Sequence, residues 1–108
     1  MLIPIADNLI PRGCTCKTSF PFPYRAEDVL ALFITYQQNK ITKVEKELSE
    51  CTFEDGRVSV NLSQEQTLSF EGLVPIRVQI RVRLKDGTAT KSTIMETYTD
   101  EVLKGGVI

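Results

Sequence analysis

The sequence has no histidine and no tryptophan, and only three of its 108 residues are cysteines. Without histidine, the chain lacks the side chain most often used as a general base near neutral pH and most often found as a metal ligand. An odd number of cysteines cannot form a complete disulfide framework, so Cys14, Cys16 and Cys51 are expected to be thiols in a reducing cytosol. These absences predict a protein that is not an enzyme and that binds no cofactor.

Long apolar segments and a strong charge excess are also missing. The longest apolar run, around residues 29–34, is far shorter than the roughly 18 residues that cross a bilayer. Residues 1–5 lack the positive leader and long apolar stretch of a secretory signal. With 42% apolar residues, 25% charged residues and a net charge of -1, the composition is typical of one soluble globular domain. We therefore expect no membrane association and synthesis without a signal peptide.

Residues 1–13 are apolar, but Pro4 and Pro11 interrupt them and favour an extended arm over a helix. Such an arm lies either on the domain's own sheet or on a neighbouring subunit. Residues 14–108 are predicted to form a single domain, because a chain of this size buries enough surface for one core. The apolar side chains of the arm are candidate interface residues: Leu2, Ile3 and Ile5.

Two segments in the first half of the chain show the period of a β-strand. The segment from Cys14 to Phe20 predicts a first strand, which ends at Pro21 and Pro23. A second strand is predicted with one apolar face, and a turn at residues 38–40 leads into a third strand. The alternative is a helix over residues 26–50, where apolar residues also recur at helical spacing. The predicted apolar face of the second strand comprises Leu30, Leu32, Ile34 and Tyr36.

The clearest turn patterns lie further along the chain. Asp55-Gly56 predicts a two-residue hairpin, and Ser63 with Gln66 predicts the cap of a short helical turn that bridges two sheets. The cleanest alternation covers Ile76–Leu84, and a returning strand is expected within residues 88–98. About seven short strands with one short helical turn predict an all-β fold, an antiparallel immunoglobulin-like β-sandwich.

The cysteines leave a metal site to consider. If Cys14 and Cys16 lie two apart on one strand, they share a face, and Cys51 could approach them as a third thiolate. A closed zinc site needs four ligands, and without histidine the fourth would be a carboxylate or water. Buried free thiols are the expected alternative, and no metal is predicted.

Basic residues line the outer face of the predicted strand Ile76–Leu84. Residues 71–91 carry five positive and two negative side chains, whereas residues 40–66 carry four positive and six negative. This asymmetry suits head-to-tail packing of copies or an acidic partner, while the alternative is cross-strand pairing of the arginines with glutamates. Because the charges are few and lack interleaved aromatic residues, no nucleic-acid binding is predicted. The candidate interface residues in this row are Arg77, Arg81 and Arg83.

The order of these elements also resembles a known group of proteins. The sequence is similar to small prophage-encoded proteins from the tail and structural-gene regions of bacterial siphophages. It resembles, more loosely, the immunoglobulin-like N-terminal domain of phage upper baseplate proteins. The resemblance implies a virion component that works through protein contacts in a symmetric assembly, and it assigns no catalytic or binding residue. It runs through the segments at residues 10–14, 16–22, 32–38, 46–51, 58–62, 63–70, 78–82 and 85–88.

The expected function is therefore that of a non-enzymatic phage or prophage structural protein of the tail or baseplate. Its expected partners are other virion or tail proteins or copies of itself, in the virion or the host cytoplasm. The alternative is a carbohydrate-binding β-sandwich module, which would need Tyr24, Tyr36 and Tyr98 to cluster on the surface. A small enzyme would need a concave pocket holding a carboxylate with a shifted pKa or a thiolate beside a lysine.

Overall fold

The computed structural model describes residues 9–108, which contain nine β-strands, one short α-helix and two short 3-10 turns. The 3-10 turns cover Ala26–Asp28 and Leu48–Glu50. The other elements are β1 (Leu9–Ile10), β2 (Cys16–Pro21), β3 (Val29–Gln38), β4 (Ile41–Glu47), β5 (Thr52–Glu54), β6 (Arg57–Leu62), α1 (Gln64–Leu68), β7 (Ile76–Leu84), β8 (Ala89–Lys91) and β9 (Met95–Thr99).

The strands form two sheets that enclose one hydrophobic core. The larger sheet has the order β1-β9-β7-β3-β4, with β8 also paired to β7, and the smaller sheet has the order β2-β6-β5. Apolar side chains from both sheets meet in a single buried cluster. The predicted all-β sandwich is confirmed, although β1 pairs with β9 in parallel and the other pairs are antiparallel.

Two hairpins turn through two residues that both adopt positive φ. Asn39 and Lys40 have φ values of 51° and 65°, and Asp55 and Gly56 have φ values of 50° and 71°. Backbones of this kind match the right-handed twist of the flanking strands, which explains the tight connections. Both predicted hairpins are confirmed, and the alternative helix over residues 26–50 is wrong, because strands β3 and β4 occupy most of that segment.

Leu30 does not lie on the inner face of β3, so this part of the predicted apolar face is wrong. Its side chain is 55% exposed, whereas Leu32, Ile34 and Tyr36 are fully buried. The pairing of β3 with β7 shifts between Val29 and Ala31, as in a β-bulge. The extra residue shifts the alternation by one position, and Val29 is the buried residue at that end of the strand.

The single returning strand expected within residues 88–98 is divided into β8 and β9, which pair with opposite ends of β7. Ser92 lies between them. Its backbone N donates to Ile80 O at 2.8 Å, and its Oγ accepts from Ile80 N at 3.0 Å. The Ser92 hydroxyl thus takes the place of a backbone carbonyl as the acceptor for Ile80 N. The chain then leaves the sheet at Thr93 and Ile94 and pairs with β7 again in β9.

The connection from the smaller sheet to the larger runs through α1. Ser63 Oγ accepts from Gln66 N at 3.1 Å, and Gln66 Oε1 accepts from Ser63 N at 2.9 Å, which confirms the predicted cap. The following loop is held by Gln38, whose buried amide binds the backbone of Glu71 and Val74. These local contacts fix the path that brings β7 beside β3.

The first described residues join the larger sheet. Leu9 and Ile10 pair with β9, and the Ile10 side chain is buried. The next residues form a turn, where Arg12 Nε donates to Phe70 O at 2.7 Å. The predicted interface residues Leu2, Ile3 and Ile5 lie outside the described residues. None of the helical segments within residues 9–108 has the length and hydrophobicity needed to cross a bilayer.

Candidate functional site

The candidate site is the outer face of the larger sheet, defined as the side turned away from the smaller sheet. Because Ile76, Val78, Ile80 and Val82 are buried, the alternate residues of β7 point outward. The same alternation around Leu32, Ile34 and Tyr36 turns the intervening residues of β3 outward. The outward residues on these two strands are Phe33, Thr35, Gln37, Arg77, Gln79, Arg81 and Arg83.

Strand register arranges the outer-face side chains in three rows that cross β4, β3 and β7. In each row the residue on β7 is polar or basic, and in two rows the residue on β4 is acidic. In these rows the two carboxylates lie on the β4 side and the two arginines on the β7 side, while Lys43 of β4 lies at the register shift between the second and third rows. From β4 to β7 the rows are Glu47, Phe33 and Arg81, then Glu45, Thr35 and Gln79, then Thr42, Gln37 and Arg77.

Side-chain hydrogen bonds fix the polar residues of the outer face. Thr35 Oγ1 donates to Glu45 Oε2 at 3.1 Å, and Gln37 Nε2 donates to Thr42 Oγ1 at 3.2 Å. Gln79 Nε2 donates to Ser92 O at 3.2 Å. These contacts hold the polar side chains in place, so the floor of the face is preorganised for contact.

Two of the three arginines of this face, Arg77 and Arg81, differ from their polar neighbours. Arg77 lies opposite Glu96 in the register of β7 and β9, and Arg81 lies opposite Lys91 in the register of β7 and β8. Among residues 9–108, the ion pairs are Arg25 with Glu27 and Lys46 with Glu50, and neither involves these two arginines. Within the described part of the chain, the guanidinium groups of Arg77 and Arg81 therefore form no ion pair.

A shallow concavity of about 440 Å³ lies on the outer face. Arg77, Arg81 and Glu45 line it together with two exposed apolar side chains. Phe33 is 42% exposed and Ile94 is 48% exposed, and both reach the same concavity. The site thus combines basic, acidic and apolar groups within one depression.

Only two of the three arginines in the predicted row, Arg77 and Arg81, line the concavity. Arg83 is the next outward residue of β7 after Arg81; it pairs with Ala31 and Ala89 and does not line the concavity. Phe33, Glu45 and Ile94 also line the concavity, although none of them was predicted from the sequence as an interface residue. The outward direction of Phe33 follows from the buried positions on either side of it, but the alignment of Glu45 and Ile94 with the arginines depends on strand pairing, which no local pattern encodes.

The three tyrosines do not form one surface cluster. Tyr36 lies in the core, where its hydroxyl is 2.6 Å from Thr18 Oγ1. Tyr24 packs edge-on against Phe22, with ring centroids 5.5 Å apart, and Tyr98 is 45% exposed on β9. The aromatic surface that the carbohydrate-binding alternative required from these residues is therefore not formed.

The cysteines do not lie on one strand face, because β2 begins at Cys16 and Cys14 belongs to the preceding turn. Cys14 is exposed, so the expectation that all three thiols are buried is wrong at this position. Burial raises the pKa of the Cys16 thiol, and burial together with the nearby Glu50 carboxylate raises the pKa of Cys51 to about 11. Within residues 9–108, no three side chains of the metal-binding types His, Cys, Asp and Glu form a group that could hold a metal ion.

A lysine does lie near one of these thiols. The Lys46 side chain points inward from the edge strand β4, and its Nζ is 3.3 Å from Glu50 Oε2. Lys46 lowers the pKa of Cys51, but the opposing effects of burial and Glu50 are larger. Cys51 is consequently a thiol at neutral pH, which makes it a weak nucleophile.

No protein-family model matches this chain, and no curated protein or solved structure was found to be similar to it.

Proposed function

We propose that this protein is a non-enzymatic assembly module that contacts another protein through the outer face of its larger sheet. One observation carries the proposal. Two arginines without an ion-pair partner among the described residues, Arg77 and Arg81, share a concavity with the exposed side chains of Phe33 and Ile94.

This combination of groups suits a protein interface. Arginine and aromatic residues are enriched at the centres of such interfaces, since the guanidinium group binds carboxylates through two parallel hydrogen bonds and its stem covers apolar surface. Thr35 and Gln79 are already fixed by hydrogen bonds on the floor between the arginines. A partner would therefore meet a largely preformed surface, which lowers the entropic cost of binding.

The charges of this face favour a protein over a nucleic acid as its ligand. Glu45 and Glu47 lie on the same face as the arginines, two strands away from them. A phosphate backbone needs an uninterrupted basic surface, and these carboxylates would repel it. The protonated state of Cys51 and the raised pKa of Cys16 likewise favour a binding role over nucleophilic catalysis.

The resemblance of the sequence to phage tail and baseplate proteins supplies the proposed setting. In that setting the protein acts in the virion or the host cytoplasm. Its partners are other tail proteins or copies of itself. A rigid β-sandwich with one mixed-charge face suits repeated contacts in a symmetric assembly.

The proposal is tested by titrating the isotope-labelled protein with a hexaglutamate peptide as a carboxylate probe and recording amide and arginine side-chain NMR shifts. We expect the largest shifts on β3 and β7 around Arg77 and Arg81. Arg77→Gln and Arg81→Gln should each weaken the binding about fivefold, which corresponds to roughly 1 kcal/mol per charged contact.

Arg83→Gln provides the matched control, because it removes the same charge from the same face of the same strand but outside the concavity. Binding should be nearly unchanged in this variant. The proposal fails if the peptide shifts residues elsewhere, or if all three arginine variants weaken binding equally.

A further inference from the structure

We propose that the outer face binds a second copy of this chain and forms a face-to-face dimer with twofold symmetry. The inference rests on the proposed function of this face and adds the identity of the partner. It follows from the order of charges along the cross-strand rows, which makes the face complementary to itself.

The first row has an acid on one side and a base on the other. Glu47 on β4 and Arg81 on β7 both neighbour Phe33 on β3, which lies between them. A twofold axis that runs above β3, parallel to it, exchanges the β4 and β7 sides while keeping each row in place. Glu47 of each copy then lies over Arg81 of the other, and the two Phe33 rings meet at the axis.

The second and third rows are compatible with the same axis. Glu45 would lie over Gln79 of the second copy, and Thr42 would lie over Arg77. Aligned sheets pack with an angle of about 30° between their strands, which allows Glu45 to reach an arginine in an adjacent row. Each of these contacts occurs twice, as an isologous interface requires.

The alternative orientation of the two faces is disfavoured by charge. A twofold axis across the strands would place β4 over β4 and β7 over β7, which brings acids onto acids and arginines onto arginines. Repulsion between like charges would oppose that arrangement. The rows therefore select one relative orientation in which the strands of the two copies run parallel.

A second copy also matches this face better than a uniformly acidic protein does. An acidic partner would gain contacts at Arg77 and Arg81 but would approach Glu45 and Glu47 on the β4 side. Those four side chains sum to no net charge. A second copy with the same charge pattern, rotated by 180° about the twofold axis, places arginines over the carboxylates of β4 and carboxylates over the arginines of β7.

The size of the face indicates a weak dimer. β3 has ten residues, which corresponds to a length of about 33 Å, and four neighbouring strands span roughly 19 Å. The resulting footprint of about 600 Å² per copy is below the roughly 800 Å² of a standard stable interface. We expect mostly monomer at about 1 µM and a substantial dimer fraction at a few hundred µM, as is typical of transient association.

Sedimentation velocity over this concentration range tests the inference with charge-exchanged variants. Glu47→Arg alone and Arg81→Glu alone should each abolish the dimer, because each places like charges opposite one another twice. An equimolar mixture of the two variants should restore it as a heterodimer, since every contact between positions 47 and 81 then joins one basic and one acidic side chain. The double variant E47R/R81E in one chain should dimerise like the original protein.

Lys17→Glu is the control, since it changes an exposed charge on the smaller sheet by the same amount and should leave the dimer intact. Circular dichroism of every variant establishes that it is folded. The inference is overturned if the original protein is monomeric throughout, if the single variants still dimerise, or if the mixture fails to restore association. A monomer whose outer face binds the hexaglutamate peptide overturns the dimer alone, whereas a monomer that also fails to bind the peptide overturns the proposed function as well.

Discussion

Thr18 on β2 and Tyr36 on β3 place their hydroxyl oxygens 2.6 Å apart in the core, so a hydrogen bond connects the two sheets. Both side chains are buried, and burial is the main cause that raises the pKa of Tyr36. The bond lets a tyrosine fill the large central space of the core without leaving its hydroxyl unpaired.

Removing either hydroxyl should therefore destabilise the protein. We expect Tyr36→Phe and Thr18→Val each to lower the free energy of unfolding in urea by about 1–3 kcal/mol, because the remaining hydroxyl loses its partner. The double variant should cost less than the sum of the two. Tyr98→Phe, on an exposed ring, should change stability by less than about 0.5 kcal/mol. Additive effects of the two core substitutions would show that the hydroxyls do not interact.

The bulge at the start of β3 predicts opposite results for two leucines that are two residues apart. Leu30 is 55% exposed and Leu32 is 1% exposed. Leu32→Ala should lower the free energy of unfolding by about 2–5 kcal/mol, since it leaves a cavity in the core. Leu30→Ala should cost less than about 0.5 kcal/mol. Comparable losses in urea denaturation would mean that Leu30 faces the core and that the bulge is absent.

The three thiols should react at different rates with a thiol-specific reagent such as DTNB at pH 8. Cys14 is exposed and should react first. With the pKa of Cys51 at about 11, only about one in a thousand of its side chains is a thiolate at pH 8, so this residue should react slowly. Cys14→Ser should remove the fast phase and Cys51→Ser should remove a slow one. A fast phase that survives in Cys14→Ser would contradict this order.

The Glu50 carboxyl is expected to cause part of the loss of stability at low pH. The backbone N–H of Glu47, together with Lys46, holds the pKa of the Glu50 carboxyl below its ordinary value of 4.5. Because the folded state favours the ionised form, the contribution of Glu50 to stability is complete above pH 4.5 and is lost as the pH falls through the lower folded pKa.

Glu50→Gln should consequently lower the melting temperature more at pH 7 than at pH 3. The effect should be small, since the side chain is 42% exposed and its ion pair with Lys46 is partly screened by solvent. Glu101→Gln, which removes an exposed carboxylate near the end of the chain, serves as the control for net charge. A difference between Glu50→Gln and the original protein that grows toward low pH would contradict the assignment.

Local chemistry made much of this fold predictable from the residues alone. The alternation along Ile76–Leu84, the Asp55-Gly56 turn and the Ser63–Gln66 cap each act over a few residues, and each occurs in the structure as expected. Leu30 shows where this reasoning fails. Its alternation with Leu32 is regular in the sequence, but the bulge depends on how β3 meets β7, which is a contact between residues about fifty positions apart.

The candidate site was predictable only in part for the same reason. The outward arginines follow from the period of one strand, so Arg77 and Arg81 could be named. Their alignment with Glu45 and Phe33 depends on the register of three strands, and the position of Ile94 depends on the Ser92 contact that divides β8 from β9. Features made by pairing between distant segments need the fold before they can be recognised.

The parallel pairing of β1 with β9 has a consequence for folding during synthesis. Leu9 and Tyr98, which are partners in this pair, are about ninety residues apart in the chain, so closing the loop between them carries one of the largest entropic costs in the fold. The ribosome exposes Leu9 long before Tyr98 exists. The larger sheet therefore gains β9 only after Tyr98 has emerged, and a ribosome stalled before Met95 would hold a domain in which Ile76–Val78 of β7 lack their β9 partners.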